Sequence, residues 1–291
     1  APSRATVTTL YMAYRLNDPI EIMPPHRHSP NAIRLGLIGA QNFTGVEGEN
    51  IVFGPGDLVL TPHDTWHNHG NEGDQPAINL SVLDLPLAEA LNSLHFEHDY
   101  TEQEEDSVVI KKMQTQKFPA HYSEQVYGQG GFLPRFVSHS RGVGKASPMY
   151  IYRWEAMSEL LERYKDWDGD PYEGIVIEYV DPTRGTSIYK TMTFFVQMLR
   201  PGEKTLPMKQ NSSLLLSPLE GSGYSVVDGK RLDWSPFDTV AVPGGLWCEH
   251  VNGSESDRAI LFVASDEPTL KALGFYRKFG KTEAGDVLRL V

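Results

Sequence analysis

The chain has 291 residues, of which 40% are hydrophobic and 22% charged, and a formal net charge of −12. Those values describe an ordinary globular protein of one large or two medium domains and exclude a nucleic-acid partner, which needs a basic face. No apolar run approaches the roughly 20 residues that span a bilayer, so no membrane role is read; the single cysteine, Cys248, excludes an internal disulfide framework and fits a reducing, cytoplasmic compartment.

Residues 5–84 carry short β-branched and aromatic runs between Gly and Pro turns, the texture of an antiparallel barrel or jelly roll. Within them lie Pro24-Pro25-His26-Arg27-His28 and, later, Trp66-His67-Asn68-His69-Gly70-Asn71. A strand alternates its faces, so His26 and His28 point the same way into a barrel. With His67 they form a candidate metal site of three neutral nitrogens. Such a site leaves positions open for substrate and oxygen, as a closed structural site does not. Residues 85–94 read as a short helix, and residues 97–148 as an irregular linker with an acidic patch at 102–106. An amphipathic helix follows over 153–165, with Trp154, Met157, Leu160, Leu161 and Tyr164 on one face. A second β-rich block runs from about 174 to 265, and a short helix over 267–278 closes it.

The second block echoes the first. Ser235-Pro236-Phe237-Asp238 through Val242-Pro243 repeats Gly54-Pro55-Gly56-Asp57 through Thr61-Pro62, and residues 221–230 repeat 39–49. The fold class is therefore all-β, a duplicated barrel. Its expected domains are 1–96 with the metal site, 97–172 as linker, and 173–291 as second barrel. Laying one copy on the other puts Met208, Gln210 and Cys248 where His26, His28 and His67 stand. That is a poor metal set, so the second barrel is expected to be metal-free. Cys248 is read as an apolar thiol.

Pro25-His26-Arg27-His28, the following Ala32-Ile33-Arg34, Trp66-His67-Asn68-His69-Gly70-Asn71 and Asp170-Pro171-Tyr172-Glu173-Gly174 together resemble the bicupin ring-cleaving dioxygenases. These are the gentisate, salicylate and 1-hydroxy-2-naphthoate dioxygenases. The resemblance covers nearly the whole chain. It implies two jelly-roll cupin barrels, Fe(II) on His26, His28 and His67, and a hydroxylated aromatic carboxylate and O2 as substrates. The ring would open between the carboxylate-bearing and hydroxyl-bearing carbons, a step of aromatic catabolism. It implies that Arg34 clamps the carboxylate, that His69 bonds the substrate and moves protons, and that the protein is a homotetramer. Trp66 is expected to line the pocket. The chain departs from the family where Arg15 stands for a Gln and Ser81 for an Asp, both substrate-contacting positions, which puts gentisate itself in doubt. The family usually has a longer N-terminal arm; no signal peptide is read, and a chain starting without Met is expected to lack or to have lost an N-terminal segment. Two other classes stay open, a zinc-dependent cupin isomerase and a non-catalytic cupin. His63, His95, His98, His121, His139 and His250 receive no role.

Overall fold

Strands form where small turns interrupt alternating apolar runs, and the computed structural model describes residues 4–139, 141 and 146–291. The first unit consists mainly of Tyr11–Trp154, with Val180–Thr186. Its elements are β1 (Tyr11–Asn17), β2 (Ile22–His28), β3 (Ala32–Ile38), β4 (Asn42–Val46), β5 (Glu49–Phe53), β6 (Leu58–Thr61), β7 (His67–Asn71), β8 (Ala77–Leu83), helix α1 (Leu85–Ala90) and β9 (Phe96–Glu97). After these come the hairpin β10 (Thr101–Glu104) and β11 (Ser107–Ile110), helix α2 (Tyr122–Tyr127) and β12 (Ile151–Tyr152). Two five-stranded sheets result, in the orders β1-β8-β3-β6-β12 and β5-β4-β7-β2-β9. Ile33, Leu35, Ile51, Phe53, Leu58, Leu60, Leu80 and Tyr150 are fully buried between turns and strands, the apolar half of each alternation.

Helix α3 (Trp154–Tyr164) buries Met157 and Leu161, as its apolar stripe requires. Then come β13 (Ile175–Glu178), the ribbon β14 (Val180–Asp181) and β15 (Thr186–Ser187), β16 (Thr193–Leu199), β17 (Met208–Gln210), β18 (Leu214–Glu220), β19 (Gly223–Val227), β20 (Lys230–Trp234), β21 (Val240–Val242), β22 (Trp247–Asn252), β23 (Ala259–Ser265), α4 (Glu267–Ala272), β24 (Lys278–Lys281) and β25 (Val287–Arg289). The second unit, mainly Ser187–Val291 with Glu155–Tyr179, carries sheets in the orders β13-β16-β23-β18-β21 and β20-β19-β22-β17-β24-β25.

The duplication is visible in the turns and in the register. Glu47 and Gly48 (φ 50° and 82°) close β4–β5, and Asp228 and Gly229 (φ 48° and 79°) close β19–β20. Two left-handed residues make the hairpin turn that matches strand twist. His26 pairs with His67 across β2–β7, and Met208 pairs with Cys248 across β17–β22. Met208, Leu214, Leu216, Val227, Trp234, Val240, Val242 and Cys248 fill the second barrel as one apolar cluster.

Three boundaries differ from expectation. The stretch read as an irregular linker holds β10, β11 and α2, is flanked by β9 and β12, and belongs with the first unit; β9 pairs with β2 and β12 with β6. The first unit thus runs past residue 96 to Trp154, and the second already includes Glu155. The closing helix stops at Ala272, and a hairpin of β24 and β25 extends the sheet beyond it.

Candidate metal centre

A bulge sets the first two ligands. β2 and β7 pair at Met23–His69 and again at His26–His67, so the β2 side carries one residue more between those pairs than β7 does. The extra length falls at Pro24-Pro25, residues that have no N–H to give to a ladder. The carbonyl thereby released from Pro24 accepts from His26 Nδ1 at 2.9 Å. His28 Nδ1 donates to the Pro30 carbonyl at 2.8 Å and His67 Nδ1 to the Thr65 carbonyl at 2.9 Å. A carbonyl oxygen only accepts, so each Nδ1 carries the proton and each Nε2 keeps a lone pair. His67 Nε2 is buried without a hydrogen bond. The three side chains are buried and offer ligand atoms within 4.8 Å of one another.

Electrostatics hold the set neutral. Burial, opposed by the backbone bonds, pushes His26 and His28 down to about 4, with the Arg34 charge acting in the same direction. Burial first, then the neighbouring histidines and Arg34, holds His67 well below its usual range. Neutral imidazole is the form that binds metal, so no proton must leave. Three converging nitrogen lone pairs, that of His67 buried and unpartnered, fit a divalent transition ion and leave its remaining positions open.

Beside the triad, Arg34 on β3 reaches across the barrel. Its Nη1 donates to Thr61 Oγ1 at 3.3 Å and its Nη2 to His69 Nε2 at 3.1 Å. A guanidinium has no acceptor, so His69 Nε2 must accept and the proton of His69 sits on Nδ1. That Nδ1 is buried without a hydrogen bond, and its ring lies 5.1 Å from the His26 ring. The site therefore presents a buried cation and a buried N–H donor next to three metal-binding nitrogens. Ser81 is paired with Arg34 across β3–β8 and with Ala13 across β1–β8, so it shares the interior face. Arg15, two residues beyond Ala13 on β1, shares it too.

Trp66 is a correction. Arg27, between two ligands on β2, must face away from them, and its guanidinium stacks on the Trp66 ring at 5.1 Å. Tyr100 packs edge-on to the same ring. Trp66 therefore lies on the outer side of β7 and does not line the pocket. Two neighbours of the centre were missed. Phe96 on β9 packs on the His28 ring at 5.4 Å, and His98 stands 6.2 Å from the His26 ring. The Arg27–Glu97 ion pair at 2.6 Å ties this short strand to β2. In the second barrel Cys248 is buried and pushed up to about 12 by burial, an inert thiol as expected.

Residues 18–83 match the Cupin domain family. Over 278 residues the chain is 34% identical to the 5-aminosalicylate 1,2-dioxygenase of a Comamonas species, covering 94% of this chain and 70% of that one. It is 32% identical over 282 residues to a gentisate 1,2-dioxygenase of a Haloferax species, covering 94% and 75%. Among solved structures, the salicylate 1,2-dioxygenase of Pseudaminobacter salicylatoxidans superposes with a TM-score of 0.81 at 27% identity, covering 94% of this chain and 75% of that one.

Proposed function

The chain belongs to the cupin ring-cleaving dioxygenases of the gentisate and salicylate type, and on that premise we propose that it opens a hydroxylated aromatic carboxylate with Fe(II) on His26, His28 and His67. The observation that carries this reading is the shared buried interior of a tautomer-locked histidine triad and the Arg34–His69 pair. His26, His28 and His67 would hold the ferrous ion, whose chemistry when bound would be to activate O2 toward an electron-rich aromatic acid, a reaction that is otherwise slow.

The chain's own residues do the rest. Arg34 places a permanent charge where the substrate carboxylate arrives and supplies the planar fork that suits it. By donating to His69 Nε2, Arg34 also fixes which nitrogen of His69 faces the substrate with a proton. His69 Nδ1 then donates to the phenol oxygen or to oxygen as it gains charge. Apolar burial around the four histidines excludes water that would compete for the open positions. Ser81 widens the interior beside Arg34, and salicylates or 1-hydroxy-2-naphthoate, as well as gentisate, offer the same chelating pair. Assembly as a homotetramer in the cytoplasm belongs to the same proposal.

The test is anaerobic reconstitution with Fe(II), followed by O2 uptake across a panel of these acids and light scattering of the reconstituted protein. Uptake stoichiometric with one acid, with metal analysis returning one iron per chain, is the expected result. No uptake with any of them, by protein that holds iron, would overturn the reading.

A further inference from the structure

Two arginines share the interior face of the first barrel. Arg34 is on β3 and Arg15 on β1, with β8 between them. The rows read Arg34–Ser81–Ala13 and, two residues along, Gly36–Asn79–Arg15. By strand spacing their Cα atoms stand roughly 12 Å apart. The interior positions between them include Ser81 and Ala13, small side chains that leave room for a ring. Arg15 leans toward the other sheet: its Nη1 contacts Met23 Sδ at 3.3 Å, and Met23 is the register partner of His69. The guanidinium thus lies on the His69 side of the site.

Its own charge is thinly matched. Nε donates to Asn17 Oδ1 at 2.6 Å, a sulfur is a weak acceptor, and the Glu21 carboxylate stands 3.6 Å from Nη2. The side chain is 26% exposed, so substrate can reach it. Of five N–H donors on a guanidinium, these contacts use at most three. The duplicated barrel supplies a check on direction. The position equivalent to Arg15 by register is Gln197, opposite Leu261 as Arg15 is opposite Asn79. Gln197 is fully buried, with neither amide atom hydrogen-bonded, so this register position faces a barrel interior in both copies.

Resting on the dioxygenase reading above, we propose that Arg15 is a specificity-determining residue. It binds a second anionic substituent on the ring, so the preferred substrates are hydroxyarene dianions whose two acid groups are held by Arg34 and Arg15. A structural pairing of Arg15 with Glu21 alone predicts no such preference.

The experiment uses the Fe(II)-loaded protein and salicylates carrying a carboxylate at each remaining ring position, each compared with its methyl ester. The ester removes the charge and adds one methyl group, and Arg15→Gln separates the two effects. For at least one position kcat/KM for the acid should exceed that for the ester by about tenfold or more, the low end for a charge-assisted hydrogen bond. In Arg15→Gln that ratio should fall to near one, and Arg15→Lys should restore part of it. Acid and ester turned over equally well at every position overturn the proposal while the dioxygenase reading stands. Absence of O2 uptake with every acid, plain salicylates and gentisate included, overturns the dioxygenase reading. The acid-to-ester ratio of Kd, read anaerobically by calorimetry on the same loaded wild-type protein, still decides the role of Arg15 in that case, and does so if Arg15→Gln fails to fold.

Discussion

The proton positions at the centre follow from which atom each ring nitrogen meets. Three carbonyls take three Nδ1–H groups, and one guanidinium takes the fourth histidine by the opposite nitrogen. Ligand and donor are thus told apart before any substrate binds. His26→Ala should lose iron and O2 uptake together, as metal analysis and oxygen electrode traces will show; iron retained at one per chain would contradict the assignment. Arg34→Ala should keep its iron but lower kcat/KM by about 30-fold or more, the cost of removing one partner of a buried charge pair. Full activity there would rule out the carboxylate clamp. His69→Gln keeps a donor of different reach, and kcat should fall about 100-fold at unchanged iron content if the Nδ1 proton is used.

Elements matter here through how closely β2 and β7 approach. Gly70 lies between His69 and Asn71 on β7, and a Cβ built there would sit 1.9 Å from the Glu21 carbonyl. That carbonyl is held in place, since Asn71 N–H donates to it at 3.0 Å. Gly70→Ala must therefore push β2 from β7, the two strands that carry all three candidate ligands. We expect a stability loss of about 3 kcal/mol, the upper range for overpacking, and weaker iron retention, read from thermal melts and metal analysis. An unchanged melt would show that the strands yield freely. The same two strands explain what could be read from sequence. His26 and His28 were legible because a period of two fixes a shared face, and the repeat Met208, Gln210, Cys248 located the second copy because register is inherited with the turns. An inward-facing Trp66 breaks the same rule: one residue from His67, it had to face outward, and the alternation contained that signal. β9 has two residues and β25 three, too few for any periodicity to show, so Phe96 and the closing hairpin were illegible.

For the whole molecule, the buried imidazoles decide how it behaves in acid. His26, His28 and His250 are pushed down to about 4, chiefly by burial, and His67 and His69 lie well below their usual range for the same reason. In the unfolded chain all five return to about 6.5. Between those values the unfolded state binds protons that the folded state refuses, so stability falls as pH falls. The loss begins near 6.5 and is complete only below about 4, where the folded histidines protonate as well. Each of the three near 4 contributes on the order of 3 kcal/mol over that window, and together they rival the 5–15 kcal/mol of a typical fold. The metal-free protein should therefore unfold between pH 6.5 and 4, with a melting temperature that drops throughout the interval. His250 separates the barrels in this measurement, because it sits in the second copy, bonded to Ser225. Replacing it, as in His250→Asn, should make the slope shallower by about one proton while the candidate metal site is untouched. A melting temperature flat across the interval would show that burial does not hold these histidines neutral. A slope unchanged in the variant would place the whole acid response in the first barrel.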